Sequence, residues 1–86
     1  MEIQIVNHAF LRAEERGATE EEIREVLQTG ISIKAKNNRI GKEKVFQFEQ
    51  VLNKRYYEQK KITVIYTTED SIFIVITIPV KYGHLR

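Results

Sequence analysis

A histidine and two arginines recur at four-residue intervals near the start of the chain, in the stretch "NHAFLRAEERG". On a helix, His8, Arg12 and Arg16 would share one face, because residues four apart are neighbours on a helix surface. A guanidinium binds a phosphate through two parallel hydrogen bonds, and an imidazole transfers protons near neutral pH. The spacing therefore indicates either an ordinary solvated helix face or one wall of a site for anion binding and proton transfer.

Other kinds of chemistry find little support in the sequence. The chain contains no cysteine, its two histidines are not at metal-ligand spacing, and it has neither a glycine-rich phosphate loop nor a Gly-x-Ser-x-Gly elbow. What remains is metal-free, cofactor-free cleavage of RNA by acid–base catalysis, with the substrate's own 2′-hydroxyl as nucleophile. His8 is the candidate base or acid, and Arg12 or Lys60 the candidate phosphate ligand. A tyrosine or threonine on the sheet could orient an oxygen or donate a proton.

Charge is divided unevenly along the 86 residues. Residues 1–30 have a net charge of −4 and residues 31–86 a net charge of +6. A basic second half favours a polyanion such as RNA as partner, with Lys34, Lys36 and Lys44 as candidate contacts. The same charge also fits a solvated set of strand-edge lysines that discourages aggregation. With no membrane-spanning stretch and no secretory signal, the sequence predicts a cytoplasmic protein without a membrane partner.

Capping signals and helical periodicity predict two helices in the first 30 residues. The first is expected to begin at Asn7, whose short side chain can cap it, and to end at Gly17. The second is expected to begin with a capping box between Thr19 and Glu22 and to end at Gly30. The residues predicted to lie in or near the core are Val6, Phe10, Ile23, Val26, Leu27, Ile74 and Ile76.

Alternating patterns predict four strands in the rest of the chain, in "ISIKAK", "KVFQF", "YYEQKKITVIY" and "IFIVITI". The stretch "QVLNKR" is expected to be an irregular connection, Pro79 to interrupt the last strand, and the tail "VKYGHLR" receives no assignment. Short connections favour antiparallel pairing. The sequence therefore predicts a single α+β domain over residues 1–86, with two N-terminal helices packed on one face of a four-stranded antiparallel sheet.

Two long stretches resemble a known family. "HAFLRAEERGATEEEIREVLQTG" resembles the opening of the small bacterial and archaeal family called domain of unknown function 4258, with its His-Ala start, arginine four residues later, Arg-Gly helix end and acidic second helix. "YYEQKKITVIYTTEDSIFIVITIPVKYG" resembles the family's second half, with paired tyrosines, a following lysine and a valine-rich strand that carries a threonine. Two positions depart from the family: Ala18 replaces a larger aliphatic residue, and Pro79 a frequent aromatic one.

Carried over position by position, the resemblance implies a set of site residues. They are His8, Arg12, Arg16, Tyr57, Lys60, Thr77 and Tyr82. Thr77 and Tyr82 would orient groups or assist proton transfer, whereas Arg16 and Tyr57 would contact nucleic acid.

The layout of this family is similar to that of small toxin ribonucleases of the RelE, barnase and colicin type. By analogy of fold, the resemblance implies a metal-independent ribonuclease toxin with RNA and a protein antitoxin as partners. Two other interpretations stay open: a non-catalytic module that binds nucleic acid or protein, and a domain that self-associates through its outer sheet face. Catalysis requires His8 to face the same cleft as Lys60 and the last strand, whereas binding requires only a basic patch.

Overall fold

The computed structural model describes residues 2–84. Along the chain, one strand precedes the two helices and five strands follow them. The elements are β1 (Glu2–Ile5), α1 (Asn7–Arg16), α2 (Glu20–Thr29), β2 (Ile31–Lys34), β3 (Ile40–Leu52), β4 (Arg55–Glu69), β5 (Ile72–Thr77) and β6 (Val80–Gly83). All six strands join one sheet in the order β1-β5-β4-β3-β2, and β6 pairs with β4.

The prediction of a four-stranded antiparallel sheet is wrong, because the sheet has six strands and is mixed. β1 runs parallel to β5, with Ile3 opposite Phe73 and Ile5 opposite Val75. Four residues of alternation are too few to separate a strand from an irregular chain end. The partner of β1 also lies almost at the other end of the sequence, where no local pattern can indicate it.

The stretch "QVLNKR" is part of a long hairpin rather than an irregular connection. β3 continues to Leu52, and the chain turns at Asn53 and Lys54, whose φ angles are 51° and 68°. Positive φ at both central residues is what a two-residue type I′ hairpin loop requires. A bulge between Gln47 and Gln50 shifts the register of β3 against β4, and this shift hides the alternation from a sequence pattern.

The first four residues of the tail form a sixth strand, β6 (Val80–Gly83), which the sequence did not predict, and residues 85 and 86 lie outside the described part of the chain. β3 occupies one edge of β4, and β5 and β6 lie one after the other along the opposite edge. The interruption expected at Pro79 is confirmed, since β5 ends at Thr77 and β6 begins at Val80. Pro79 still contributes to the sheet, because its carbonyl oxygen accepts a 2.9 Å hydrogen bond from Thr63 N.

The two helices begin in different ways. The capping box of α2 is confirmed: Glu22 N donates to Thr19 Oγ1 at 3.1 Å, and Thr19 N donates to Glu22 Oε1 at 3.0 Å. The predicted cap at Asn7 is wrong, because the N-cap of α1 is Val6 and no side chain caps it. Val6 N instead donates to Val75 O at 3.1 Å, so β5 fixes the start of α1. Neither helix of residues 2–84 has the length and apolar character to cross a membrane.

Both helices cover the same face of the sheet. Ile23, Val26 and Leu27 of α2 are buried there, as predicted. They join one apolar cluster with side chains of α1, the loop between the helices, β4 and the strands beside it. The other buried members of this cluster are Ala13, Ala18, Ile62, Val64, Tyr66, Val75 and Ile78.

Four predicted core residues lie elsewhere. Val6 is 46% exposed, so its assignment to the core is wrong. Phe10, Ile74 and Ile76 are only half-buried. Side chains alternate along β5, and because Val75 points towards the helices, Ile74 points away from them.

The opposite face, called here the open face, has neither helix packed on it. Register places Ile31, Ile33 and Ile65 on this face, in line with Glu43, Gly41 and Thr77 on the neighbouring strands. Ile31 is 74% exposed, whereas Ile33 and Ile65 are half-buried. The open face therefore presents apolar side chains to solvent.

Candidate active site

The helix face singled out by the sequence lines a cleft at the edge of the sheet, called here the α1 cleft. β1 accompanies β5 only as far as the pair Ile5–Val75, and the chain then turns into α1. The edge of β5 beyond Val75 consequently faces the helix instead of a strand. The cleft has a volume of about 280 Å³ and is lined by His8, Ala9, Arg12, Arg16, Ile76, Thr77 and Ile78.

Four of the predicted site residues, His8, Arg12, Arg16 and Thr77, therefore meet at this one cleft. His8 and Arg12 are exposed, and Arg16 is half-buried. Within residues 2–84 no carboxylate oxygen lies within 4.0 Å of either guanidinium. The arginines are not neutralised by acidic neighbours, so the cleft is cationic and suited to an anion.

The α1 cleft combines groups that bind anions with groups that exchange protons. His8 and Arg12 are one helical turn apart, about 6 Å along the axis, so an anion held by the guanidinium lies within reach of the imidazole. The Thr77 hydroxyl can donate or accept a hydrogen bond at the opposite wall. In the part of the chain that the structure describes, no group of three or more His, Asp or Glu side chains is arranged to hold a metal ion.

Lys60 lies outside this cleft, underneath the loop that joins the helices. Its side chain is only 9% exposed, and its Nζ lies 2.9 Å from Glu22 Oε2. The same ammonium donates to Gly17 O at 2.8 Å and sits 5.7 Å from the centre of the Phe48 ring. These contacts occupy the ammonium, so Lys60 holds the helix–helix loop onto the sheet.

Tyr82 also binds the end of α1 rather than the α1 cleft. Its hydroxyl donates to Arg16 O, and its ring contacts those of Phe48 and Tyr57 at centroid distances of 5.0 and 5.6 Å. Burial, with a smaller contribution from the Glu22 carboxylate, raises the pKa of Tyr82. The phenol therefore keeps its proton, and can go on donating to the helix, to a higher pH than a free tyrosine.

Gly17 lies between these two anchors. Its φ of 91° ends α1 in the left-handed conformation, which confirms the predicted helix end. A Cβ at this position would overlap the Tyr82 hydroxyl. Tyr82 and Lys60 thus bind the consecutive carbonyl oxygens of Arg16 and Gly17. In this structure they position the helix that carries His8, and neither contacts the α1 cleft.

The predicted nucleic-acid contacts Lys34 and Lys36 lie in a second concavity, called here the turn groove. The chain reverses at Asn37 and Asn38, both with positive φ, and brings Arg39 beside the lysines. Arg39 was not among the predicted contacts, although an arginine after paired asparagines is a recognisable sign of an exposed cationic turn. The turn groove has a volume of about 430 Å³ and is lined by Ile33, Lys34, Ala35, Lys36, Asn37, Arg39, Ile65 and Thr77.

The two remaining predicted contacts, Lys44 and Tyr57, lie apart from the turn groove. Lys44 Nζ is 2.6 Å from Glu25 Oε2 and donates to Thr29 Oγ1 at 2.8 Å, on the side of the sheet that α2 covers. Tyr57 is half-buried against Tyr82. Lys44 is therefore separated from Lys34 and Lys36, with which it was predicted to act.

Fold and site together define a class of small α+β domain, in which two helices cover one face of a mixed sheet and a cationic cleft opens at the edge of β5. The chain belongs to the family described as Domain of unknown function (DUF4258), whose model matches residues 5–79. This confirms the family that the sequence resembled. The matched region contains His8, Arg12 and Thr77. A search of curated proteins and a search of solved structures each found no match.

Proposed function

We propose that this protein is a metal-independent endoribonuclease of the toxin type, with a protein antitoxin as its partner. The observation that carries the enzymatic part is the convergence of His8, Arg12, Arg16 and Thr77 on one cleft. The toxin role and the antitoxin come from the sequence resemblance to small toxin ribonucleases, which is an analogy of fold.

In the proposed reaction, His8 accepts the proton of the substrate's 2′-hydroxyl as its oxygen attacks the adjacent phosphorus. The bond from phosphorus to the 5′-oxygen breaks, and that oxygen leaves with a proton from the imidazolium or from water. The products are a 2′,3′-cyclic phosphate and a free 5′-hydroxyl. Arg12 and Arg16 bind the non-bridging phosphoryl oxygens, where negative charge grows in the transition state. Thr77 orients the phosphate from the sheet side.

The test is incubation of the purified protein with a broad panel of RNAs in the presence of EDTA. Wild type should cleave RNA to 2′,3′-cyclic ends, and His8→Ala should cleave it about 10²–10⁴-fold more slowly, which is the usual size of a general acid–base contribution. His84→Ala is the matched control, because His84 is also exposed but lies outside the cleft. Equal activity of the two histidine variants would remove His8 from the mechanism.

A second candidate is a non-catalytic module that binds nucleic acid or protein. The open face favours this alternative, since Ile31 is 74% exposed and Val45 41% exposed, as at protein contact surfaces. Wild-type protein that binds RNA or a protein but leaves every RNA of the panel intact would support the binding module and contradict the enzyme.

A further inference from the structure

A row of directly paired residues connects the α1 cleft to the turn groove. Thr77 is the register partner of Ile65, Ile65 of Gly41, and Gly41 of Ile33, so the row crosses four strands from β5 to β2. Three strand spacings amount to about 14 Å. Thr77 lines both concavities, so the row begins at the α1 cleft and ends in the turn groove. We call the row and the two concavities that it joins the cross-strand track.

The floor of the cross-strand track is low and apolar. Gly41 is buried and has no side chain, and a Cβ there would lie 2.9 Å from Ile33 Cγ1. The Ile33 side chain therefore packs over Gly41, in the space that a side chain at residue 41 would otherwise occupy. Ile33 and Ile65 are half-buried and flank Gly41 in the row. The result is a shallow aliphatic surface between two cationic ends.

In the described part of the chain, the cations at the two ends of the cross-strand track have no acidic neighbour. Within residues 2–84, Arg12 and Arg16 at one end, and three cations at the other, have no carboxylate within 4.0 Å. The three at the turn are Lys34, Lys36 and Arg39. Four lysines outside the track contact the protein itself: they are Lys42, Lys44, Lys60 and Lys61.

We propose that the cross-strand track binds single-stranded RNA, a proposal that rests on the ribonuclease function and names the form of its substrate. The scissile phosphate lies in the α1 cleft, and a neighbouring base rests on Ile33 and Ile65. The backbone beyond that base lies against Lys34, Lys36 and Arg39. A duplex would use the cations alone, because its base faces are stacked inside the helix. An unstacked base of a single strand can rest on the apolar floor. Other proteins that bind single strands likewise combine a basic groove with side chains that contact the bases.

The proposal is tested by binding measurements in a His8→Ala background, in which cleavage of the RNA is expected to be slow. The probe is one RNA oligonucleotide, offered as a single strand or annealed to its complement. The track variant carries Lys34→Ala, Lys36→Ala and Arg39→Ala. The matched control carries Lys54→Ala, Arg55→Ala and Lys81→Ala, which remove the same charge from exposed positions outside the track. Circular dichroism checks that both variants are folded.

We expect the single strand to bind more tightly than the duplex. The track variant should lose single-strand affinity, with a slope of log affinity against log salt that is shallower by about 2, or roughly 0.7 for each lost phosphate contact. The control should keep the slope of the unmodified background. Equal losses in the two variants, or equal binding of single strand and duplex, would overturn the proposal. Binding of an acidic peptide but no RNA would also overturn it.

Failure of the track and failure of the ribonuclease give different results. If wild type cleaves RNA through His8 but the track variant binds like the control, the enzyme stands and the track is wrong. If wild type cleaves nothing but single-stranded RNA binds through the three turn cations, the track stands and the ribonuclease is wrong.

Discussion

Lys60 Nζ lies 2.9 Å from Glu22 Oε2, and the pair joins the middle of β4 to the first turn of α2. Lys60 is 7% exposed, and its ammonium also donates to Gly17 O. Removing either member of a buried ion pair leaves the other charge buried without a partner, and this lowers the stability of the folded protein. The ion pair therefore makes the stability of the domain depend on a residue that the sequence assigned to catalysis.

Replacing Lys60 with methionine should destabilise the protein by about 2–3 kcal/mol, because Glu22 and Gly17 O lose their partner in a largely buried place. Lys61→Met is the matched control: its ammonium lies 3.7 Å from Glu43 on the partly exposed side, and its loss should change the free energy of unfolding by no more than about 0.5 kcal/mol. Urea unfolding measures both. A Lys60→Met protein of wild-type stability that no longer cleaves RNA would restore the catalytic role.

The stability of the protein should depend on Tyr82 most clearly at neutral pH. Tyr82→Phe loses the hydrogen bond to Arg16 O, at a cost of about 1 kcal/mol. Because the folded pKa is raised above the unfolded value of about 10, the folded state keeps a proton that the unfolded state releases, and this contribution is lost as pH rises above about 10.

Urea unfolding of wild type and Tyr82→Phe at a series of pH values should therefore show a stability difference that is constant below about pH 10 and shrinks above it. Lysines titrate in the same range in both proteins, so only the difference is informative. Tyr56→Phe, at a 53% exposed position, should show no such trend. A difference that grows with pH would contradict the sign of the shift.

Gly17→Ala should destabilise the protein for two separable reasons. An alanine at φ 91° costs about 1–2 kcal/mol in backbone strain, and its Cβ would displace the Tyr82 hydroxyl. The second cost disappears when residue 82 is phenylalanine, which has no hydroxyl. In a double-mutant cycle, Gly17→Ala should therefore cost less in the Tyr82→Phe background than in wild type. Strict additivity would show that the two residues do not meet.

Arg12→Lys should lower RNA cleavage even though it keeps the charge. An ammonium cannot form the two parallel hydrogen bonds of a guanidinium, and losing one bond to a charged group corresponds to roughly 10–100-fold in rate. Arg24→Lys is the control, since Arg24 is on α2 and lies 3.8 Å from Glu20. Initial rates of the two variants on the same RNA decide the matter. Unchanged activity of Arg12→Lys would mean that the residue supplies only charge.

Sequence patterns predicted those structural features that are determined by residues only a few positions apart in the sequence. The capping box of Thr19 and Glu22 is such a feature, because it needs only a three-residue spacing. The shared face of His8, Arg12 and Arg16 follows in the same way from helix geometry. The parallel pairing of β1 with β5 depends on residues at opposite ends of the chain, so no short window of sequence contains its cause.

The placement of Lys60 illustrates why the site could be predicted only in part. The sequence predicts a cation on a strand, and the structure shows that it shares the helix-covered side of β4 with Ile62 and Val64. The period of two was visible in "QKKITVIY", since Lys60 alternates in step with those buried residues. The sequence could not show that Lys60 pairs with Glu22, because the packing of α2 brings Glu22 to that face.

The parallel pairing of β1 with β5 also sets an order of events during translation. Residues 2–5 leave the ribosome early, but their partners at 72–75 follow only after the helices and the long hairpin have been made. Pairing between such distant segments is slow to form. Val6 at the start of α1 is held by Val75, so the His8 helix can take its final place against β5 only after Val75 has been synthesised. A ribonuclease built in this way would stay inactive until β5 has been made.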